Sequence, residues 1–486
     1  MPLRPMSREQ AWLLPPTLGE LIPMTHPARF VAEFVDSLED REWAGMGIEL
    51  DGPLEGAPAY HPRALLSAWV YGFMTGVRSC RKLEGACRDQ VPYLWLTGWQ
   101  HPDHNTLWRF YRQHRRAMRQ LLKKTVRTAV VMGLVDLAVQ AVDGTKITAN
   151  ASKHRTYDAK KLMSLLERTA AAIAQLEAQN EGAGDPPPPQ LPQELAEAKA
   201  LRERVRGAMR QLEAEGAQGR INLTDSDAKL MKTRQGFVAG YNAQAMVSPL
   251  DSERAGERGL LITAAEVVTE AEDHGQLAPM MEAAEETSGI AAAVTLADAG
   301  YHSGANLQTC ADRGDTVVMP ESGQESLTNP YHKQHFTYVS ETDSFICPQG
   351  RKLWFRGLKK RTGELPMRVY RGDGVVCRGC PAFGKCTTNR QGRVIETGPY
   401  EAVLREHRTW MTTPEATELY RQRKTLPEPT FGILKEQQRA RHFLLRGLVN
   451  VADEWALLAS AFNLRTLWKV WANQGGSRGW CVVAAA

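Results

Sequence analysis

The sequence has 486 residues, of which 43% are hydrophobic, and its formal net charge at pH 7 is +5. This length and apolar content exclude an intrinsically disordered chain and are sufficient for two or three folded domains. The small net charge permits a nucleic-acid partner without requiring one, so that local clusters of basic residues must carry that argument.

The sequence has no pattern typical of a membrane protein or a secretory leader. No stretch is apolar over the roughly 18 residues that a membrane span needs, and the opening MPLRPMSREQ has no apolar core. We therefore expect no membrane association and a cytoplasmic location. Eight cysteines are too few for a disulfide scaffold in so long a chain, and clustered cysteines in a reducing compartment indicate a metal site.

The first 137 residues have the pattern of an all-helical domain. Apolar residues recur at helical spacing in ALLSAWVYGFMTGV, and Asp103 and Asn105 precede TLWRFYRQH in the position of a helix cap. The segment from Arg109 to Arg127, RFYRQHRRAMRQLLKKTVR, is far more basic than the rest of the chain. A solvated helix face is one interpretation of that run; we interpret residues 1–137 as a DNA-binding helical domain.

Strand and helix patterns alternate after residue 137, which predicts an α/β sheet over residues 138–470. The predicted strands are VDLAVQAVDGTKITANAS, FVAGYNAQAMVS, GLLITAAEVV and AAVTLADAGYH. Asp143 is expected to end the first strand at an Asp-Gly hairpin turn, and Asp298 to end the last one. Functional groups gather at strand ends in open α/β sheets, so these two aspartates are expected to lie close together.

Two further segments depart from this pattern. KLMSLLERTAAAIAQLEAQ and ELAEAKALRERVRGAMRQLEAEG are amphipathic helices separated by GAGDPPPPQLPQ, which no helix can cross. They predict an inserted helical hairpin over residues 160–218, which either packs on its own subunit or pairs with a second one. Residues 472–486 have no regular pattern and are expected to form a loose tail.

A polar region over residues 321–401 contains four clustered cysteines, in ICPQG and VVCRGCPAFGKC. A Cys-x-x-Cys pair with two further cysteines provides four soft ligands, which suits tetrahedral structural zinc in a small zinc-ribbon-like insert. The alternative is a set of unrelated reduced thiols. The predicted zinc ligands are Cys347, Cys377, Cys380 and Cys386.

Three acidic residues stand at positions that suit catalysis. Asp143 and Asp298 follow strand patterns, and Glu428 stands near the start of a basic helix. Carboxylates held close together repel one another and normally require a divalent cation, and paired Mg²⁺ ions can activate a water and stabilise a leaving oxygen. Residue chemistry alone leaves a turn or capping role open for each of the three acids.

Several segments in order resemble one family. DGTKITANAS, LADAGYHS and YRQRKTLPEPTFGILKEQQRARHFLLRG resemble the three catalytic segments of bacterial insertion-sequence transposases with an RNase H-like DDE domain, and LTDSDAKLMK, GYNAQAMVS and the helical N-terminal region agree with this. The resemblance implies an RNase H-like catalytic domain over residues 138–470, acting on DNA in the bacterial nucleoid. It also implies two Mg²⁺ or Mn²⁺ ions, bridged by Asp143 and Asp298 with Glu428 completing the site.

The reaction implied by the resemblance is cleavage of DNA at the ends of the protein's own element, followed by strand transfer into target DNA. A homodimer that pairs two DNA ends is the usual assembly of such enzymes. One alternative is a domesticated or inactive copy that binds DNA without cutting it. Another is a zinc-stabilised DNA-binding regulator with no nuclease ancestry, which would not need acids at two strand ends.

The last segment also fits a family pattern of tyrosine, arginine, glutamate and lysine. The matching residues are Tyr420, Arg423, Glu428 and Lys435. The resemblance implies that the arginine and lysine contact phosphates of the cut DNA end and that the tyrosine lies near a base. The usual spacing has three residues between arginine and glutamate, whereas four occur here, and Pro427 is the apparent extra residue.

Other acids remain open for the same roles. Glu436 and Glu454 are rivals to Glu428 as the third acid, and Glu454 lies in a helical stretch that also fits the family. Asp225 and Asp227, in INLTDSDAKL, either add a metal ligand or cap a turn or helix.

Overall fold

A computed structural model describes residues 17–51, 59–135, 137–181, 193–216, 219–234, 236–321, 329–360 and 365–476 of the chain. Within these ranges the protein is a mixed α/β structure with a helical N-terminal region, a central mixed sheet and a second, antiparallel sheet. The predicted α/β class is therefore confirmed.

The N-terminal region consists of helices, as the apolar spacing predicts. Asp103 caps one of them, since its carboxylate accepts a hydrogen bond from the Thr106 backbone N–H at 2.6 Å. The helices are α1 (Pro27–Asp36), α2 (Asp40–Gly45), α3 (Pro62–Thr75), α4 (Cys80–Asp89), α5 (Val91–Leu96), α6 (His104–Met118) and α7 (Gln120–Val131).

The central sheet is built around the strand that carries Asp143. Its strands are β1 (Val139–Thr148), β2 (Lys229–Thr233), β3 (Gly236–Pro249), β4 (Leu260–Val268), β5 (Val294–Leu296) and β6 (Thr316–Val318). β1 pairs antiparallel with β3 on one side and parallel with β5 on the other, and β6 continues the parallel part. β2 and β4 both pair with β3, antiparallel.

The predicted Asp-Gly turn after β1 is wrong. β1 continues past Gly144 and pairs with β3 as far as Thr148, opposite Gly240. A Cβ atom on Gly144 would lie 2.3 Å from Nε2 of Gln244 and 2.6 Å from Oδ1 of Asp273. Glycine is therefore needed at this position because the Gln244 and Asp273 side chains lie close to the strand, and not because the chain turns.

Helices cover both faces of the central sheet. The N-terminal helices and α17 (Leu448–Asn473) share one continuous hydrophobic core with one face. On the other face, α11 (Leu277–Ser288) and α12 (Gly304–Arg313) pack against Val142 and Met246. A short helix, α10 (Ser252–Ala255), lies between β3 and β4.

The predicted helical hairpin is present as α8 (Ala159–Glu181) and α9 (Gln193–Ala214). It has a small core of its own, in which Leu162, Val205 and Leu212 are buried. The proline-rich connection at residues 182–192 lies outside the described residues.

The cysteine-rich segment contains the second sheet, which the sequence pattern did not predict. Its strands lie in antiparallel order, and among the described residues its buried core is five side chains, which include Phe345 and Tyr370. The strands are β7 (Thr337–Val339), β8 (Ser344–Ile346), β9 (Lys352–Lys359), β10 (Met367–Gly372) and β11 (Val394–Thr397), and a short helix, α13 (Gly374–Arg378), follows β10.

The chain then returns to the central sheet through α14 (Glu401–Met411), α15 (Pro414–Gln422) and α16 (Pro427–Glu436). α16 contacts β1 and β3, so its side chains reach the strand that carries Asp143. Of the predicted tail, residues 472–473 end α17, and residues 477–486 lie outside the described residues.

Candidate active site

Asp143 and Asp298 lie at the same edge of the parallel part of the sheet. The parallel pairing of β1 with β5 ends at Ala141 opposite Leu296, so Asp143 stands two residues beyond it. Asp298 stands two residues beyond the end of β5, and its carboxylate accepts a hydrogen bond from the Gly300 N–H at 2.8 Å. The sheet thus brings together two acids that are far apart in the sequence.

Arg423 joins the two aspartates. Its Nη2 lies 2.8 Å from Oδ2 of Asp143 and 3.5 Å from Oδ2 of Asp298, and its side chain is only 10% exposed. It is positioned by a 3₁₀ turn between α15 and α16. The family resemblance assigns Arg423 to a DNA phosphate, whereas in the structure its guanidinium pairs with both aspartates.

The surroundings of Asp143 raise the pKa of its carboxyl group. Burial raises the pKa of this carboxyl group to about 6, even though Arg423 acts in the opposite direction, and the negative charges of Asp298 and Asp273 raise it further. Burial also lowers the pKa of the nearby Lys146 and Lys435. Burial thus shifts the pKa of an acid and of two neighbouring lysines in one cluster, as is often found at catalytic sites.

Tyr420 and Lys435 flank this pair of acids. Burial raises the pKa of Tyr420, which also interacts electrostatically with Arg423 and with both aspartates. The Lys435 ammonium donates a hydrogen bond to Oγ1 of Thr145 on β1. Tyr420, Arg423 and Lys435 are thus all close to the two aspartates.

Glu428 lies in the first turn of α16 and is exposed. It is seven residues before Lys435, so both project from the same side of the helix. Pro427 occupies the start of the helix, where a proline is tolerated because its missing N–H would have no intrahelical partner. Across the described ranges, no three acidic, histidine or cysteine side chains converge closely enough to hold a metal.

The two rival acids have structural partners. Glu454 is 1% exposed, and its Oε1 lies 2.8 Å from Nη1 of the buried Arg78. The backbone N–H groups of Leu444 and Leu445 also donate to its carboxylate. Glu436 is on the surface, where it forms an ion pair with Arg441. Neither carboxylate faces Asp143.

Asp225 and Asp227 bind the backbone at the start of α17. Oδ1 of Asp225 accepts from the Gly447 N–H at 3.1 Å and from the Tyr241 hydroxyl at 2.8 Å. Oδ2 of Asp227 accepts from the Leu448 N–H at 2.8 Å. Both carboxylates thus accept hydrogen bonds from backbone N–H groups at the start of α17, as capping residues do.

Sequence reasoning missed Asp273, which lies in the same pocket. Its Oδ1 accepts hydrogen bonds from Nδ2 of Asn242 and Nε2 of Gln244, both at 2.7 Å, and lies 3.8 Å from Nζ of Lys146. A Cβ atom on Gly300 would be 3.6 Å from its Oδ2 and 2.8 Å from Oδ1 of Asp298. Its place between β4 and α11 is the signal in the sequence that could have identified it.

The four clustered cysteines line one cavity of about 230 Å³ in the second sheet. All four are half-buried free thiols, and burial raises the pKa of Cys386, with the other three adding to the effect. The Arg351 N–H donates to the sulfur of Cys347 at 3.2 Å. The four thiols share a cavity, but in the described part of the chain their sulfur atoms are not grouped closely enough to hold a metal ion.

Comparison with known families finds two matches. Residues 346–468 match the family "Transposase DDE domain", and residues 16–113 match "Transposase domain (DUF772)". The first range includes Glu428 and the four cysteines, while Asp143 and Asp298 lie between the two ranges. No curated protein matches the chain significantly. None of the described helices is long and apolar enough to cross a membrane.

Proposed function

Two separate family matches identify the chain as an insertion-sequence transposase of the DDE type, and on that premise we propose that it cuts DNA at the ends of its own element. The free 3′-hydroxyl would then be joined to target DNA. The observation that carries the proposal is the meeting of Asp143 and Asp298 at one sheet edge, held by Arg423 at 2.8 and 3.5 Å.

An RNase H-like catalytic domain is supported by the strand arrangement. Without the short strand β2, the order across the sheet is β4, β3, β1, β5, β6, so that Asp143 is on the first strand and Asp298 follows the fourth. We propose that the catalytic domain spans residues 138–470, with the helical hairpin at 160–218 and the cysteine-rich segment at 321–401 as inserts.

The donor set of the site fits Mg²⁺ or Mn²⁺. Asp143 and Asp298 offer hard carboxylate oxygens, and the raised pKa of Asp143 indicates a group that a cation would stabilise in its charged form. Two such ions, when bound, would supply an activated water and neutralise charge on the leaving oxygen. We propose that Glu428 provides the third carboxylate, since α16 directs Lys435 toward the same strand.

Arg423 would then exchange partners. A guanidinium that lies between two carboxylates competes with a cation for the same oxygens, and it can form the bidentate contact that phosphates favour. We propose that Arg423 moves from Asp143 to a DNA phosphate when metal and DNA bind. Lys435 would contact a neighbouring phosphate, and Tyr420 a base.

Metal affinity is expected to depend on the protonation of Asp143. Because the pKa of Asp143 is raised to about 6, the proton competes with the cation below that pH, and affinity falls as pH decreases. We expect Mn²⁺ to bind about tenfold more weakly near pH 5 than near pH 7.5. Calorimetric titration would measure this, and Asp143→Asn should bind weakly at both pH values. Equal affinity of the intact protein at both would contradict the role of Asp143.

Structural zinc at Cys347, Cys377, Cys380 and Cys386 is supported by their shared cavity and by the very small core of the second sheet. A sheet with so few buried residues is of the kind that metal ligation stabilises. We expect about one zinc per chain by elemental analysis, and loss of that zinc in Cys380→Ser. Cys80→Ser, which alters a half-buried thiol in α4, is the matched control. Zinc retained in full by Cys380→Ser would exclude this site.

DNA binding by the N-terminal region, residues 1–137, is supported by α6. Arg109, Arg112 and Arg116 are exposed on one side of that helix, whereas Arg115 and Arg119 pair with Asp453 and Glu266. A row of exposed arginines on one helix is a suitable phosphate contact. We propose that this region binds the terminal repeats.

We also propose that the protein acts as a homodimer on two DNA ends in the bacterial nucleoid, with the helical hairpin as a subunit contact. A marked element with the natural flanking ends, carried on a donor plasmid with this gene, tests the proposed function. Insertions into a target plasmid that require the intact gene are expected. DNA binding without any insertion would instead favour an inactive copy that binds DNA without cutting it.

A further inference from the structure

A basic groove begins at Gly144, the chain neighbour of Asp143. It encloses about 850 Å³ between β1, the β2–β3 hairpin and the end of α16. Half of its lining side chains are cationic, three are threonines and no carboxylate lines it. The lining residues are Gly144, Thr145, Lys146, Thr148, Lys232, Thr233, Arg234, Val238, Lys435 and Arg441.

The cations of this groove are only partly neutralised by the protein. Lys146 is 3.8 Å from Asp273, and Arg441 pairs with Glu436 on the surface. Lys232 and Arg234 are exposed and form no ion pair in the described part of the chain. Like charges that converge on one groove repel each other unless an anion is bound, so the groove is built for a polyanion.

An exposed aromatic ring lies opposite one of these cations, although the ring itself is not part of the groove lining. Phe237 stands directly opposite Lys232 in the β2–β3 register, near the end of the hairpin, and its side chain is 52% exposed. The protein itself covers only about half of this ring, so the exposed part is open to a ligand. Proteins that bind single-stranded nucleic acid combine cations along the phosphate backbone with aromatic rings that stack on the bases. The bases of a duplex are already stacked and paired, so such a ring cannot reach them.

We propose that the groove binds an unpaired DNA strand next to the scissile phosphate, an inference that rests on the proposed function. Lys232, Arg234 and Arg441 contact successive phosphates, and Phe237 stacks on one base. The strand reaches the aspartates because Gly144, the neighbour of Asp143, lines the same groove. Lys435, which the family resemblance assigns to DNA, is at the inner end of this path.

The test compares binding of fluorescent oligo(dT) with binding of a fully paired hairpin duplex, both without divalent metal. The double variant Lys232→Ala/Arg234→Ala should bind oligo(dT) at least tenfold more weakly, and the slope of log affinity against log salt should fall by about 1.4, the value for two lost single-strand phosphate contacts. Phe237→Ala should weaken oligo(dT) binding about tenfold, and Phe237→Trp should retain it. Binding of the duplex should stay within about twofold for all variants.

The matched control is Arg254→Ala/Arg258→Ala, which removes two exposed cations from the loop at the opposite end of β3. It should leave oligo(dT) affinity and its salt slope unchanged. An unchanged affinity in Lys232→Ala/Arg234→Ala, or an equal loss for oligo(dT) and duplex, would overturn the inference. Since no cleavage is measured, a protein that uses the groove but never cuts would refute the proposed function and leave this inference standing.

Discussion

Asp298→Asn is expected to lower the rate of metal-dependent DNA cleavage by about a thousandfold, because a lost metal ligand costs several kcal/mol of transition-state stabilisation and each ~1.4 kcal/mol is a factor of ten. The substitution is nearly isosteric. The asparagine oxygen can still accept the hydrogen bond that the Gly300 N–H donates to Asp298 at 2.8 Å in the intact protein. Arg423 keeps its contact with Asp143 at 2.8 Å. Folding and DNA affinity should therefore be almost unchanged.

Single-turnover cleavage and a separate DNA-binding measurement would distinguish chemistry from binding in this variant. Asp312→Asn, which changes an exposed acid on the helix that follows Asp298, is the matched control and should cut at the rate of the intact protein. A variant at Asp298 that cuts within tenfold of the intact rate would remove this residue from the catalytic site.

Glu454→Gln is expected to destabilise the protein by about 3–5 kcal/mol, because it leaves the buried Arg78 charge without its partner. Arg78 is 6% exposed and lies 2.8 Å from Glu454, and its other partners are the backbone carbonyls of Arg439 and His442. Arg78 therefore ties the N-terminal helices to α17 and to the segment between α16 and α17. Urea unfolding followed by tryptophan fluorescence would measure the effect, since Trp455 is buried next to Glu454.

Glu436→Gln provides the contrast. Its ion pair with Arg441 is on the surface, and such pairs contribute about 0–1 kcal/mol. We expect the urea midpoint of this variant to stay close to that of the intact protein. If Glu454→Gln unfolded normally but failed to cut DNA, Glu454 would be a catalytic acid and its structural role would be refuted.

Sequence patterns predicted the elements that depend on local features. Helix α6 with its Asp103 cap, the α8–α9 hairpin and the main strands follow from apolar spacing, capping residues and a proline-rich break. The closeness of Asp143 and Asp298 also followed, since strand ends of a parallel sheet meet at one edge. The prediction of a turn at Asp143-Gly144 was wrong because the glycine instead makes room for the Gln244 and Asp273 side chains within a continuous strand.

Features that depend on long-range contacts were not predictable. Nothing local to Arg423 indicates that it would bind two aspartates, and nothing local to Glu454 indicates a buried partner in the N-terminal region. Asp273 reaches the site only because β3 presents Asn242 and Gln244 to it. The second sheet was missed because its strands are short and its core is small, so that alternation is weak and turns dominate the pattern.

The most direct test of the account is cleavage of a duplex that carries the element's own terminal repeat, with Mg²⁺ and with metal removed. The intact protein should nick at the repeat end and leave a 3′-hydroxyl only when Mg²⁺ is present, and Glu428→Gln should bind the DNA without nicking it. Binding without cleavage by the intact protein, in Mg²⁺ or in Mn²⁺, would contradict the assignment as an active DDE enzyme. Cleavage by Glu428→Gln at the rate of the intact protein would exclude Glu428 as the third metal ligand and would make Asp273 the next candidate for that role.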